Sequence, residues 1–164
     1  MMRRLSLPAL IFFLPLLALA DNAKLLSRSG DWESFTYAEK GGKVCYMASK
    51  PKKSSGAPKN RASAYITITH RTADKSYGVV NVMQSVAYKK DSPPVLEIGG
   101  TKFTLYVSGD SAWARDDKAI VAAFLKAKTA TVHGIPAKGD PVVDTYSLDG
   151  FMSAYMDIGK ACKS

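Results

Sequence analysis

The chain has 164 residues, which suits one domain with an ordinary hydrophobic core. Its 23 basic and 14 acidic residues give a formal net charge of +9, which favours either attraction to anionic surfaces or simple solubility. After residue 20 the sequence has no long apolar stretch, which argues against a membrane-spanning helix in that part of the chain.

The first twenty residues have the pattern of a cleavable secretory signal. Two arginines precede an apolar run over residues 5–19, and the small residues Ala18 and Ala20 stand where a signal peptidase reads the chain. A membrane-anchoring helix is the alternative, but the run contains two prolines and is shorter than the roughly 20 apolar residues that a span needs. We therefore expect cleavage after Ala20, export, and a single mature domain of residues 21–164.

Export limits the partners that the positive charge suggests. Loss of Arg3 and Arg4 with the signal leaves 21 basic and 14 acidic residues, a mature net charge of +7. Such a protein is drawn towards phospholipid head groups, lipopolysaccharide or anionic glycans. Aromatic residues on a basic surface can bind single-stranded nucleic acid, but export argues against that partner. We expect most of the aromatic side chains to pack in the core.

Alternation of apolar and polar residues predicts about eight short strands after a polar lead over residues 21–30. The predicted strands span residues 32–37, 44–49, 64–71, 78–86, 95–98, 102–107, 129–135 and 142–146, with a further fragment at 111–114. That fragment is expected to place Trp113 on the core.

Two helices are predicted in the C-terminal third of the chain. Residues 117–127 carry apolar side chains at helical spacing, with Asp116 as the N-cap, and a last helix follows a cap at Ser147. Many short strands with two helices inserted late favour a mainly β fold. They indicate an antiparallel β-sandwich rather than alternating βαβ units.

Residues 50–61 form a basic segment between two predicted strands. Five basic residues, no acid, two prolines and a glycine indicate an exposed, mobile loop. One interpretation is an electrostatic contact with an anionic surface, and the other is a solvated hairpin tip. The residues that would make the contact are Lys50, Lys52, Lys53, Lys59 and Arg61.

Cys45 and Cys162 are the two cysteines of the chain. In an oxidising compartment an isolated pair usually forms a disulfide, and closing so long a loop is worth about 4–5 kcal/mol in the chain-entropy model. A redox pair or a metal site is the alternative. Redox pairs usually have Cys-x-x-Cys spacing, and a metal site needs more ligands. We therefore expect a structural disulfide.

No group of residues has the spacing of a catalytic, metal or cofactor site. His70 is predicted on the apolar side of a strand and His133 in a strand rich in threonine and valine, which is typical of structural histidines. The carboxylates that hydrolysis would need are interpreted as surface residues without diagnostic spacing, namely Glu33, Asp110, Asp116 and Asp144. The sequence therefore predicts no catalytic residue, no metal and no cofactor.

Six short motifs follow one another along the mature chain, and their combination is more specific than any one of them. They are Gly30-Asp31-Trp32, Cys45-Tyr46, Arg61 before the strand at 65–69, Ala112-Trp113, Asp144-Thr145-Tyr146-Ser147-Leu148-Asp149-Gly150-Phe151, and Lys160-Ala161-Cys162. In this combination the chain resembles the invasion-associated locus B family, a group of exported proteins of Gram-negative bacteria. Some members carry a further cysteine soon after Gly-Asp-Trp. This chain has Phe35 and Thr36 in that region, so no second disulfide is carried over.

The resemblance implies an immunoglobulin-like β-sandwich, a periplasmic or secreted location with association to the outer membrane, and a link to host-cell invasion in pathogenic members. It implies no known enzymatic activity and no secure set of binding residues. The leading hypothesis is a non-catalytic envelope protein that binds an envelope or host protein or supports the envelope. An anion-binding module for lipopolysaccharide or glycans, acting through the basic segment, is the alternative. An unrecognised hydrolase is a remote third.

Overall fold

The protein, described over residues 23–163 in a computed structural model, folds into two antiparallel sheets and two helices. This confirms the predicted mainly β sandwich with two helices in the C-terminal third. The predicted signal over residues 1–20 lies outside the described residues. Within residues 23–163, no helix has both the length and the apolar character that crossing a membrane requires.

In residues 23–163, ten strands precede the first helix, and two further strands lie between the two helices. The strands are β1 (Lys24–Ser29), β2 (Trp32–Glu39), β3 (Gly42–Ser49), β4 (Lys53–Ser55), β5 (Tyr65–Arg71), β6 (Ser76–Met83), β7 (Val95–Ile98), β8 (Thr101–Thr104), β9 (Tyr106–Ser108), β10 (Ser111–Trp113), β11 (Thr129–Gly134) and β12 (Val142–Ser147). The helices are α1 (Asp117–Phe124) and α2 (Phe151–Cys162). The larger sheet has the order β1-β2-β3-β5-β6-β10-β9, and the smaller sheet has the order β4-β12-β11-β7-β8.

Alternation along the strands decides which face of the larger sheet fills the core. On β5 the side chains of Ile66, Ile68 and His70 are buried, whereas Tyr65 and Thr67 are half-buried on the opposite face. Successive side chains of a strand point to opposite faces, so this sheet has an inner face and an outer face. The apolar sides of both helices join the inner core.

The chain passes from one sheet to the other at Leu105. β8 belongs to the smaller sheet and β9 to the larger one, and Leu105 between them is fully buried. Its backbone N–H donates to the carbonyl oxygen of Pro94 at 3.0 Å. The sequence predicted one strand over residues 102–107. Two strands form because this buried residue anchors a corner between the sheets.

Two strands were not predicted from the sequence. Residues 21–30 were interpreted as a polar lead, but β1 pairs antiparallel with β2 at the edge of the larger sheet. The basic segment was interpreted as a mobile loop, but β4 within it pairs with β12, and Lys52 N–H donates to Thr145 O at 2.8 Å. β4 has only polar residues and β1 has two adjacent leucines, so neither strand shows the alternation of apolar and polar residues that marks a strand in the sequence.

The helix boundaries differ slightly from those predicted. Asp116 caps α1 as expected, since its carboxylate accepts a hydrogen bond from Ala119 N–H at 3.0 Å. α1 ends at Phe124 rather than at residue 127. The second helix is capped by Gly150 and not by Ser147, because the chain must first turn through a positive φ of 83° at the glycine.

The disulfide predicted between Cys45 and Cys162 is confirmed in the structure. Both cysteines are buried, and they join β3 to the last residue of α2 across 117 positions of sequence. The bond therefore ties the C-terminal helix to the middle of the larger sheet.

Candidate functional site

The motif residues that identify the family resemblance pack against one another. The Trp32 indole N–H donates to Ser147 O at 3.1 Å, and its ring meets the edge of Phe151 at 5.1 Å between centroids. Asp31 N–H donates to Asp149 O at 3.0 Å. Gly-Asp-Trp at the start of β2 and the run that leads into α2 thus form one structural junction.

Arg61 and Asp144 form a buried ion pair rather than a surface contact. The guanidinium donates to both carboxylate oxygens at 2.7 and 2.8 Å, and the two side chains are 6% and 4% exposed. Ser54 donates to Asp144 at 2.5 Å and accepts from Arg61 at 3.0 Å. The prediction of Arg61 as an exposed anion contact is therefore wrong. Its charge is already satisfied, because a buried charge requires a partner.

Two buried phenols lie near this ion pair. Burial, and next the negative charge of Asp144, raise the pKa of Tyr88 and of Tyr146 well above the ordinary value for tyrosine. Neither hydroxyl has a hydrogen-bond partner within residues 23–163. Both phenols therefore stay neutral beside the ion pair.

The histidines have structural surroundings. His70 is buried between the rings of Tyr77 and Tyr155, and its Nδ1 accepts a hydrogen bond from Gly78 N–H at 2.8 Å. Burial lowers the pKa of His70, with an opposing contribution from the Thr69 backbone. His133 lies half-exposed on β11, 3.7 Å from Glu97.

The remaining carboxylates are not brought together. Glu33 pairs with Arg28 at 2.6 Å, Asp110 accepts from Ser111 at 3.2 Å, and Asp116 caps α1. In the described part of the chain, no three His, Cys, Asp or Glu side chains cluster in a way that could hold a metal ion.

The lysines of the basic segment are exposed, as the sequence predicted, and two of them reach the larger sheet. Lys50 Nζ lies 5.5 Å from the centre of the Tyr65 ring, a cation–π distance. Lys52 Nζ lies 2.7 Å from an Asp31 carboxylate oxygen, and this contact raises the pKa of Lys52 and lowers that of Asp31. Lys53 and Lys59 are exposed without an ion pair within residues 23–163.

Aromatic side chains cover the outer face of the larger sheet. Those in β2, β3, β5, β9 and β10 are Phe35, Tyr37, Tyr46, Tyr65, Tyr106 and Trp113, all half-buried or exposed. Trp113 was expected on the core, but Ala112 occupies the core position and Trp113 stands opposite Asn81 and Tyr106 on the outer face. The expectation that aromatic residues pack mainly in the core is therefore wrong for this sheet.

A groove of about 840 Å³ runs over part of this outer face. Phe35 and Tyr46 are cross-strand partners whose rings stack at 5.1 Å with an interplanar angle of 19°. They line the groove together with Tyr65, Lys50 and Lys52. We call this the aromatic groove. The period-two alternation of β5, which put Tyr65 opposite to Ile66, was the sequence signal that could have located it.

The model of the family described as "Invasion associated locus B (IalB) protein" matches residues 32–159. The fold is similar to that of the "Crystal structure of invasion associated protein b from bartonella henselae", with a TM-score of 0.60 and 19% sequence identity over 84% of this chain and 98% of that chain. At this identity the likeness concerns the fold. No curated protein matches the sequence.

Proposed function

Because the chain belongs to the invasion associated locus B family, we propose that it is an exported, non-catalytic envelope protein that binds its partner through the aromatic groove. The single observation that carries this proposal is the outer face of the larger sheet. It presents aromatic rings that remain half-buried or exposed within residues 23–163. Concentrations of exposed aromatic and apolar surface are typical of binding sites.

The family motifs support the proposal by elimination. Trp32, Arg61, Asp144 and Phe151 are buried in contacts that hold the fold together. Side chains that are buried in such contacts cannot touch a binding partner. The aromatic residues of the outer face have no comparable structural duty, so they are the better candidates for binding.

Export is part of the proposal. The secretory pattern of residues 1–20 and the Cys45–Cys162 disulfide both suit an oxidising compartment outside the cytoplasm. We propose the periplasm or the cell exterior as the location, with association to the outer membrane. The name of the Bartonella henselae protein associates that protein with invasion, and we extend to this chain a role in contact with a host cell.

A second candidate function is anion binding by the basic segment alone. The exposure of Lys50, Lys52, Lys53 and Lys59 favours it, although Arg61 no longer contributes. This candidate predicts that neutralising the four lysines abolishes retention in the envelope, whereas loss of the aromatic rings has no effect.

The test uses the full chain, signal included, produced with a C-terminal tag in a Gram-negative host. Cell fractions are compared for the wild type, for Y46A/Y65A in the aromatic groove, and for Y77A, which removes an exposed ring outside it. We expect processed protein in the envelope fraction for the wild type and Y77A, and release of Y46A/Y65A into the soluble periplasmic fraction. Cytoplasmic accumulation of unprocessed wild type, or equal retention of all three proteins, would overturn the proposal.

A further inference from the structure

We propose that the ligand of the aromatic groove is an anionic saccharide chain of the bacterial envelope. The inference rests on the proposed function and names the chemistry that this site fits. A pyranose ring has an apolar C–H face and a border of hydroxyl groups. A site that holds it needs flat aromatic surface beneath the ring and groups that donate and accept hydrogen bonds beside it.

The lining of the groove has this composition. The stacked rings of Phe35 and Tyr46 and the ring of Tyr65 supply aromatic surface on three adjacent strands of the larger sheet. Tyr46 is paired with Thr69 of β5, so Tyr65 lies four residues further along that strand, about 13 Å away. The rings therefore form a platform with two separate positions, the Phe35–Tyr46 stack and Tyr65, which suits several consecutive sugar rings of an extended chain.

Charged groups beside the platform provide donors and acceptors. Lys52 pairs with Asp31 at 2.7 Å and Arg28 pairs with Glu33 at 2.6 Å, and both partners of each pair line the groove. Exposed pairs of this kind contribute little to stability. Their oxygen and nitrogen atoms remain accessible to the hydroxyl groups of a ligand.

The charge of the groove selects an anionic saccharide. The groove is lined by three cationic side chains and two carboxylates, so its net charge is +1; they are Arg28, Lys50, Lys52, Asp31 and Glu33. Lys50 is the cation that has no carboxylate partner within residues 23–163. Its ammonium lies 5.5 Å from the centre of the Tyr65 ring, where it can meet a phosphate or carboxylate group of a sugar that packs beside that ring.

A protein partner is less well matched to the same groove. The centres of protein–protein interfaces are depleted in Lys, Glu and Asp, yet Lys50, Lys52, Asp31 and Glu33 all line this groove. If the protein is exported as proposed, the polymers that the groove meets first are those of the cell's own envelope. The bacterial saccharide is therefore the occupant that the composition favours.

Titration calorimetry of the purified mature protein tests the inference. The probes are the phosphorylated, lipid-free core oligosaccharide of lipopolysaccharide, the same oligosaccharide after dephosphorylation, a heparan sulfate hexasaccharide, and inorganic phosphate. We expect the phosphorylated oligosaccharide to bind best, inorganic phosphate to give no measurable heat, and binding to weaken with added salt. Y65A and Y46A should each weaken binding about tenfold, as expected for loss of one stacking contact. K50Q should weaken it less, and neither Y77A nor K118Q should change it.

The outcomes separate this inference from the proposed function. Unchanged binding in Y46A and Y65A, tighter binding of heparan sulfate, or absence of saccharide binding would overturn the inference. If the saccharide does not bind but Y46A/Y65A is still released from the envelope, the groove binds a partner of another chemistry, and the proposed function survives. Circular dichroism of each variant checks that the fold is retained.

Discussion

Arg61 and Asp144, 83 residues apart in the sequence, form a two-bond ion pair that is almost fully removed from water. The pair joins the end of the basic segment to β12, and Ser54 of β4 completes its hydrogen bonds. The hydrogen bond with Asp144 raises the pKa of Arg61 above the ordinary value for arginine. A residue that the sequence suggested as a ligand contact is thus a part of the framework.

Removal of one partner of this pair should be strongly destabilising. R61A or D144A leaves an uncompensated buried charge, so we expect the free energy of unfolding to fall by about 3–5 kcal/mol. The double variant R61M/D144L should recover most of that loss, because no charge is left unpaired. Urea denaturation of the three variants measures these differences. Equal losses in the double and the single variants would contradict the assignment, and K59Q is the control for a charge change at an exposed site.

Loss of the disulfide should lower stability because the unfolded chain gains freedom. The bond closes a separation of 117 residues, for which the chain-entropy model gives about 4–5 kcal/mol as an upper value. We expect C45A/C162A to unfold at a markedly lower denaturant concentration than the wild type. The wild type in reducing agent should approach the stability of the variant. A reducing agent should leave the variant itself unchanged, and an effect on it would assign the loss to another cause.

Replacement of Gly150 should be far more damaging than replacement of Gly100, although both residues have a φ of 83°. A Cβ atom at Gly150 would lie 1.8 Å from Ser29 O, whereas a Cβ at Gly100 would meet nothing within 4 Å. G100A therefore reports the backbone strain alone, about 1–2 kcal/mol. G150A adds a steric clash that forces β1 and α2 apart. Thermal denaturation of both variants tests this difference, and similar melting temperatures would argue against the close approach.

The buried imidazole of His70 should make stability depend on pH. Burial lowers its pKa in the folded state below the ordinary value of 6.5, so the unfolded state binds more protons as the pH falls. The contribution of His70 is complete above about pH 6.5 and is lost as the pH falls towards its lowered folded pKa. Burial raises the pKa of the neighbouring Tyr155, so that phenol stays neutral in this range.

Unfolding curves measured between about pH 6.5 and pH 4.5 check the role of His70. H70Q keeps an acceptor for Gly78 N–H but does not titrate, so its stability should change less over this window than that of the wild type. H133Q, which removes a half-exposed histidine, is the matched control for loss of an imidazole. The same slope in H70Q and the wild type would show that His70 is not responsible.

Much of the fold could be predicted because its signals are local. The alternation of Ile66, Ile68 and their polar neighbours identified β5, and Asp116 before a helical spacing of apolar residues identified the start of α1. β1 and β4 were missed since strands at sheet edges are stabilised by pairing with a neighbour. No apolar alternation of their own marks them.

The candidate site was harder to predict, as the positions of Arg61 and Trp113 illustrate. Arg61 lies in a basic run, and nothing near it in the sequence indicates that Asp144 will reach it. Trp113 is large and apolar, but the pairing of β10 with β6 and β9 turns Ala112 inward and leaves Trp113 on the outer face. Because successive side chains of a strand point to opposite faces, a shift of one residue in the pairing exchanges the side chains that face the core with those that face the surface.

By itself, the sequence determined the class of fold, the two helices, the family resemblance and the pair of cysteines that could join. These features depend on residue type, spacing and order along the chain. The tertiary structure decided which charges are buried together and which aromatic rings stay on the surface. Burial is a property of contacts between distant segments, and Arg61 became a framework residue and Tyr65 a binding candidate only when the sheets assembled.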